Sequence, residues 1–263
     1  MSRSLFLLAF LLARLAYAEA GIADSQFESD LHEWEAGLHA LVKWEPIKVI
    51  RATSRHGRLE PSPDGSLRAP TGLDEKERYT ITAMIPLRSV TAFRLEVLPE
   101  GGSVGRAGNA VLSELRVSAT KVESALVIAV ASADFEAEGC GAANALDGKS
   151  DTGWSLAGST DRAHAAVFAL AKPHVLSTKT QLTFILRQDA AGQLFNRVRI
   201  TATTAPLPVR ELPESLQRTL ALEPSERSDV QRAELAEYFR TLSKARAPLG
   251  KPASKIPHAA VPR

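Results

Sequence analysis

The spacing of apolar positions changes period twice along the chain. Between residues 27 and 41, Phe27, Leu31, Trp34, Leu38 and Leu41 recur at helical intervals, with Glu28, Asp30, Glu33 and Glu35 between them. That spacing predicts one amphipathic helix within residues 19–45, ending before Pro46. From about Ile47 the period becomes two. Tyr79, Ile81, Ala83 and Ile85 alternate with threonines and Met84; Phe93, Leu95 and Val97 alternate with Arg94 and Glu96; Val111, Ser113, Leu115 and Val117 alternate with Glu114 and Arg116. Leu126 to Ala133 is a continuous apolar run, Ala165, Val167 and Ala169 alternate, and so do Leu182, Phe184 and Leu186. Val198, Ile200 and Ala202 face away from Arg197, Arg199 and Thr201. Short strands set apart by Gly-, Pro-, Asp- and Ser-rich loops, with no helical period among them, predict a mainly β fold. The expected architecture is an antiparallel β-sandwich (jelly roll) over residues 46–204, with flanking N- and C-terminal α-helices.

Past Thr204 the helical period returns. Pro206 and Pro208 predict a stiff linker, and Pro213 opens a helix with Leu212, Leu216 and Leu220 four apart. Ser228-x-x-Gln231 reads as a capping box for a helix carrying Val230, Leu235, Phe239 and Leu242 on one side. Linker and helices together occupy 205–246. Residues 247–263 hold Pro, Ala and basic side chains with no acid, the composition of a disordered, solvated tail.

The first eighteen residues, MSRSLFLLAFLLARLAYA, carry an early Arg3, a leucine-rich run broken by Arg14, and Ala16-Tyr17-Ala18 as a small-x-small cleavage site. They read as a secretory signal peptide, which places the mature chain in the periplasm or outside the cell. No other stretch approaches the ~20 apolar residues of a membrane span. Arg3 and Arg14 account for the excess of basic over acidic residues, 32 against 30, so the mature chain is formally neutral. Net charge then selects no partner. Aromatics make up 6% of the chain, too few for a base-stacking surface, which argues against nucleic acid.

Cys140 is the single cysteine, so no internal disulfide, zinc knuckle or C-x-x-C-H haem attachment can form. It is either a buried inert thiol or half of an intermolecular disulfide. His32-Glu33-Trp34-Glu35-Ala36 begins like a zinc-protease helix but has alanine where the second histidine must stand, and His39 is two turns away from His32. The glycine run 101–109 precedes an alternating strand and not a helix, so it lacks the helix N-terminus that a phosphate loop needs. It reads as a long loop with Arg106 and Asn109 at a binding rim. No G-x-S-x-G elbow is present, and no enzyme is expected.

Asn144-Ala145-Leu146-Asp147-Gly148 with Thr152-Gly153-Trp154 resembles the A-x-D-G…T-x-W signature of discoidin-like, galactose-binding β-sandwiches. In such domains the Asp-Gly pair turns the chain and the tryptophan packs into the sandwich, so turn-plus-core-anchor and direct ligand contact are both open for Trp154. In chain order, Trp44-Glu45-Pro46, Asp64-Gly65-Ser66-Leu67, residues 79–83, 91–99, Gly105-Arg106-Ala107, residues 111–117, Asp134-Phe135, the Trp154 motif, residues 164–168, Leu182-Thr183-Phe184 and the Leu212 and Leu235 helices follow one another. This succession, roughly residues 27 to 245, is similar to the sandwich region of large secreted planctomycete-type proteins that carry cytochrome c-like domains. The chain has neither the haem-binding segment nor the large following region of that architecture, so its electron-transfer role is not expected here. The discoidin-like resemblance also implies a structural calcium as a candidate, with Glu114, Asp147 and Asp151 as oxygen donors. Pairing of Glu114 with Arg116 on a polar strand face is the competing reading.

These readings converge on an exported, non-catalytic sandwich module that binds a polysaccharide or glycoconjugate without a cofactor. The candidate contacts are Arg106, Asn109, Asp147, Asp151, Trp154 and His164. The competing reading is a structural or adaptor module that docks a partner protein, such as a cytochrome-c-domain relative, through its terminal helices.

Overall fold

The computed structural model describes residues 25–37, 42–72, 75–106, 108–119, 125–177 and 180–246. The expected signal peptide and basic tail, and Leu38, His39 and Leu41, lie outside the described residues. The chain divides into two compact units, Leu41–Gln217 and a second unit drawn from both ends, Met1–Ala40 with Arg218–Arg263.

The first unit is built from antiparallel strands: β1 (Glu45–Pro46), β2 (Lys48–Thr53), β3 (Glu60–Pro61), β4 (Leu67–Arg68), β5 (Glu77–Met84), β6 (Ser89–Leu98), β7 (Val111–Leu112), β8 (Glu114–Ala119), β9 (Ile128–Ala133), β10 (Trp154–Ser155), β11 (His164–Val175), β12 (Gln181–Gln188) and β13 (Arg197–Thr203). A seven-stranded sheet runs β3-β4-β13-β6-β11-β9, with β1 also paired to β13. A four-stranded sheet runs β2-β5-β12-β8, and β7 pairs with β10. Strand alternation puts Phe93, Leu95 and Val97 of β6, and Val198, Ile200 and Ala202 of β13, into the same core as Tyr79, Ile81 and Ala83 of β5 and Leu182, Phe184 and Leu186 of β12. Phe93 meets Phe184 edge on, with centroids 5.0 Å apart, which joins the inner faces of the two sheets. Each such ring or branched side chain removed from water contributes about 1.5–3 kcal/mol.

β11 departs from its expected facing. The alternation of Ala165, Val167 and Ala169 suggested the core face, but Ala166, Phe168 and Leu170 are the residues in the main core. Val167 and Ala169 are equally buried because something covers the other side. Val209, with half-buried Ala205 and Leu207, packs on Ala92, Val167 and Ala169, and half-buried Trp44 joins them. The segment 205–213, expected as a stiff linker, packs as a strap on the outer face of the large sheet. Thr91 Oγ1 donates to Ala205 O at 2.7 Å, Glu211 N to Ser132 Oγ at 2.8 Å and Glu214 N to Asp134 O at 2.9 Å.

Beside the strap, the same outer face carries a chain of alternating charges. Glu211 pairs with Arg94 at 2.8 Å, Arg94 with Glu96 at 2.9 Å, and Glu96 with Arg199 at 2.6 Å. Arg199 and Arg197 both approach Asp64, and Arg197 and Arg68 both approach Glu100. Every arginine in this row has a carboxylate, and most carboxylates have two arginines. Salt-bridge and hydrogen-bond partners hold the Glu96 carboxyl below its ordinary range against the opposing effect of burial. The Ser66 hydroxyl and amide, with Arg197 and Arg199, bring Asp64 down to about 2.

In the second unit, helix α1 covers residues 25–37, and α3 spans Asp229–Arg246. Between them in sequence, α2 (Glu214–Leu220) starts directly after Pro213 as expected and runs across the division between the units. The capping box forms: Gln231 N donates to Ser228 Oγ at 3.3 Å and Ser228 N to Gln231 Oε1 at 2.8 Å. Phe27 and Trp34 lie 5.6 and 5.5 Å from Phe239, while Glu35 pairs with Arg227 at 2.8 Å. The early residue of α1 thus meets the late part of α3, and the late residue meets its beginning, so the two helices run antiparallel. Leu235 is buried, but Val230, expected on its face, is 76% exposed. Five residues before Leu235 is off the 3.6-residue repeat, whereas Phe239 and Leu242 keep to it.

Candidate functional site

The strand registers gather the long connections at one end of the two-sheet unit. Glu77 is opposite Gln188, Arg187 opposite Glu114, Val97 opposite His164, Leu98 opposite Arg197, and Ala133 opposite Ala166. The segments 54–76, 99–113, 134–163 and 189–196 therefore all leave from the same end, whereas the turn 85–88 closes the opposite end in four residues. Every candidate side chain of the sequence lies in one of these loops or within two residues of one.

The Asp147 turn forms as its residues suggest. The Asp147 carboxylate accepts the Lys149 amide at 2.9 Å and the Thr152 hydroxyl at 2.8–2.9 Å, and Gly148 adopts φ +79°. The Lys149 amide leads in holding the Asp147 carboxyl below its ordinary range. Gly153 passes so close to β7 that a Cβ there would sit 2.5 Å from Leu112 O. This approach seats Trp154, which is fully buried, donates Nε1 to Phe135 O at 2.8 Å and meets Phe195 edge on. A buried indole offers no face for a sugar, so of the two readings of Trp154 the geometry favours the core anchor. Asp147 and Asp151 stay exposed at the loop surface.

Arg106 and Asn109 act chiefly as ties between loops. Arg106 donates Nε to Asn196 Oδ1 at 3.3 Å and a terminal nitrogen to Pro70 O. Asn109 Nδ2 donates to Gln193 Oε1 at 2.6 Å and Ser155 Oγ at 3.0 Å, while its Oδ1 accepts the Ala110 amide at 2.7 Å. Nearby, Tyr79 donates its hydroxyl to Phe195 O at 2.7 Å; burial pushes that phenol up to about 12. Ser155, Gln193, Asn196 and Tyr79 were not among the candidate residues. Their roles depend on contacts across many tens of residues, for which no local spacing exists.

His164 is also buried, at 2% exposure, in an arrangement with the outline of a hydrolase triad. Its Nδ1 is 3.2 Å from Asp134 Oδ2, and its Nε2 is 2.9 Å from Ser159 Oγ. The same Nε2 is 2.8 Å from the Ser159 carbonyl oxygen, which can only accept. The nitrogen that a nucleophilic serine would need as a base is thus engaged as a donor, and Ser159 is itself 7% exposed. The cluster pins the 156–163 loop to β11 and to Asp134, whose other oxygen accepts the Ala165 amide.

Glu114 differs from its expected setting. Its pairing partner across the ladder is Arg187, not Arg116, and it is 5% exposed with Oε1 buried and without a hydrogen bond. The short helical turn Ala142–Leu146 lies alongside β8, which alternation within β8 cannot reveal. Among the described residues no three His, Cys, Asp or Glu side chains converge on a common point that would hold a metal. Cys140 is half-buried and free. No family model, curated protein or solved structure matches this chain.

Proposed function

We propose that this chain is an exported, non-catalytic module of the galactose-binding-like jelly-roll type that binds a polysaccharide or glycoconjugate. The observation that carries the reading is the gathering of four long, polar loops at one end of a two-sheet body, the usual place for function on a rigid scaffold. The strand pairing supports the fold type. Taking β2, β5, β6, β8, β9, β11, β12 and β13 as eight main strands, the third, sixth and eighth are neighbours in one sheet, and the second, fourth and seventh in the other. Those are jelly-roll neighbourhoods, whereas the first and fifth, β2 and β9, pair with β5 and β11. The engaged Nε2 of His164 argues against hydrolysis at the Asp134–His164–Ser159 cluster. The likeness to secreted cytochrome-domain proteins rests on the residue succession alone.

Docking of a partner protein through the terminal helices draws on a cleft of about 470 Å³ lined by His32, Glu35, Leu220, Leu222 and Arg227. It is the weaker reading, because α1 and α3 spend Phe27, Trp34, Tyr238 and Phe239 on each other. The test is a polysaccharide and glycan array screen of residues 19–263, with calcium and with chelator. Saturable binding weakened about tenfold by Asp151→Ala, the cost of one charged hydrogen bond, is the expected result. No retained glycan under either condition would overturn the reading. Chelation also tests calcium, since loss of binding or of thermal stability on chelation is the outcome a structural cation requires.

A further inference from the structure

The outer face of the four-stranded sheet has a different composition from that of the large one. Outward positions on β5 are Arg78, Thr80, Thr82 and Met84; on β12, Arg187, Ile185, Thr183 and Gln181; on β8, Arg116 and Ser118; and Arg51 of β2 is opposite Thr82. The registers align them in rows: Arg78-Arg187-Glu114, then Thr80-Ile185-Arg116, then Arg51-Thr82-Thr183-Ser118. Arg187 reaches Asp189 at 2.7 Å. Arg51, Arg78 and Arg116 are exposed and, among the described residues, have no carboxylate partner. Lys48 and Lys76, at the border of the same face, are also exposed and have no ion pair among the described residues.

One pairing here works against stability. Arg78 and Arg187 are directly opposite each other across the ladder, where like charges are destabilising. Arg116 is the diagonal neighbour of Arg187, at a typical 7–8 Å. Three arginines thus hold adjoining ladder positions beside a double row of hydroxyls, with Asp189 on Arg187 and buried Glu114 opposite it as the nearest carboxylates.

We propose that this face binds an anionic polysaccharide, with Arg78, Arg116 and Arg187 on its carboxylate or sulfate groups and Thr80, Thr82, Thr183 and Ser118 on its hydroxyls. Guanidinium groups match both oxyanions with paired N–H donors. The face has no aromatic side chain, which disfavours neutral sugars that bind by ring stacking and nucleic acids that need base stacking. The choice of a glycan as the polyanion rests on the exported carbohydrate-binding reading above. The surface itself is distinct from the loop end.

The test is calorimetric titration of the full chain with polygalacturonate against its methyl ester, and with dextran sulfate against dextran. Each pair keeps the backbone and removes the charge. Saturable binding to at least one charged member and not to its neutral counterpart is expected at about 0.05 M salt, falling steeply by about 0.5 M. Arg78→Glu/Arg116→Glu should lose binding by about a hundredfold, a tenfold factor for each charge-assisted contact. Its thermal midpoint should hold or rise, since the change at Arg78 turns a like-charge pair into an attractive one, so loss of fold does not confound the result. Lys172→Glu/Arg218→Glu removes the same charge elsewhere and should bind as the parent does. Equal binding to charged and neutral members, equal loss in the control variant, or tighter binding of a single-stranded oligonucleotide would each overturn the proposal. Asp151→Ala separates the two readings: loss of neutral-glycan binding there, with polyanion binding intact, leaves both standing, and either can fail alone.

Discussion

The two outer faces of the same two-sheet unit solve the problem of exposed arginines in opposite ways. On the large sheet, Arg94, Arg197 and Arg199 are each matched by acids on neighbouring strands or on the strap, and the row neutralises itself. On the small sheet, Arg51, Arg78 and Arg116 are unmatched among the described residues, and two arginines confront each other across the ladder. A matched face contributes to stability and offers little to a charged ligand. An unmatched one gives up stability and keeps its valence for something outside the chain.

The largest effect that separates the faces should come from Arg94→Ala. It leaves Glu211 and Glu96, both mostly buried, without their shared cation, and should cost about 2–3 kcal/mol in urea unfolding. A cost near zero would mean that the row is not matched in the sense argued. Arg116→Ala on the small sheet, which breaks no ion pair among the described residues, should change stability by less than about 0.5 kcal/mol.

Acid titration gives an intermediate test with a definite sign. Glu96 and Asp64 have folded values below their ordinary ones, so their contribution is present above pH ~4 and is lost as pH falls, for Asp64 through about 2. Glu211 runs the other way: burial pushes its carboxyl up, and it offsets part of the loss. Asp64→Asn should therefore be less stable than the parent at neutral pH, with the gap closing by pH ~2. A gap that persists at pH ~2 would assign the effect of Asp64 to its uncharged hydrogen bonds. The smallest effect is expected from Arg78→Glu, a gain of a few tenths of a kcal/mol from removing the like-charge pair.

The strands were legible because alternation is local: β5, β6, β12 and β13 bury the residues that period two selects. The capping box was legible for the same reason, its partners being three residues apart. The strap was not. Pro206 and Pro208 describe a segment without a helix or ladder, and the small residues it covers, Ala92 and Ala169, lie far away in sequence. Of the candidate site, the Asp147 turn could be read from Asp-Gly and Thr152. The burial of Trp154 and His164 depends on Gly153 touching β7 and on Ser159 folding back. The double row of hydroxyls was visible as threonines between core residues, but only registers align it with arginines from other strands.

The Glu35–Arg227 pair joins residues 192 positions apart, while the strands between them form a separate unit. Closing so long a loop is slow relative to local pairing. During synthesis, Phe27 and Trp34 emerge first and must wait for Phe239 near the other end. That interval suits a chaperone, and chains terminated before α3 should be recognised as incomplete by the aromatic stripe they leave uncovered.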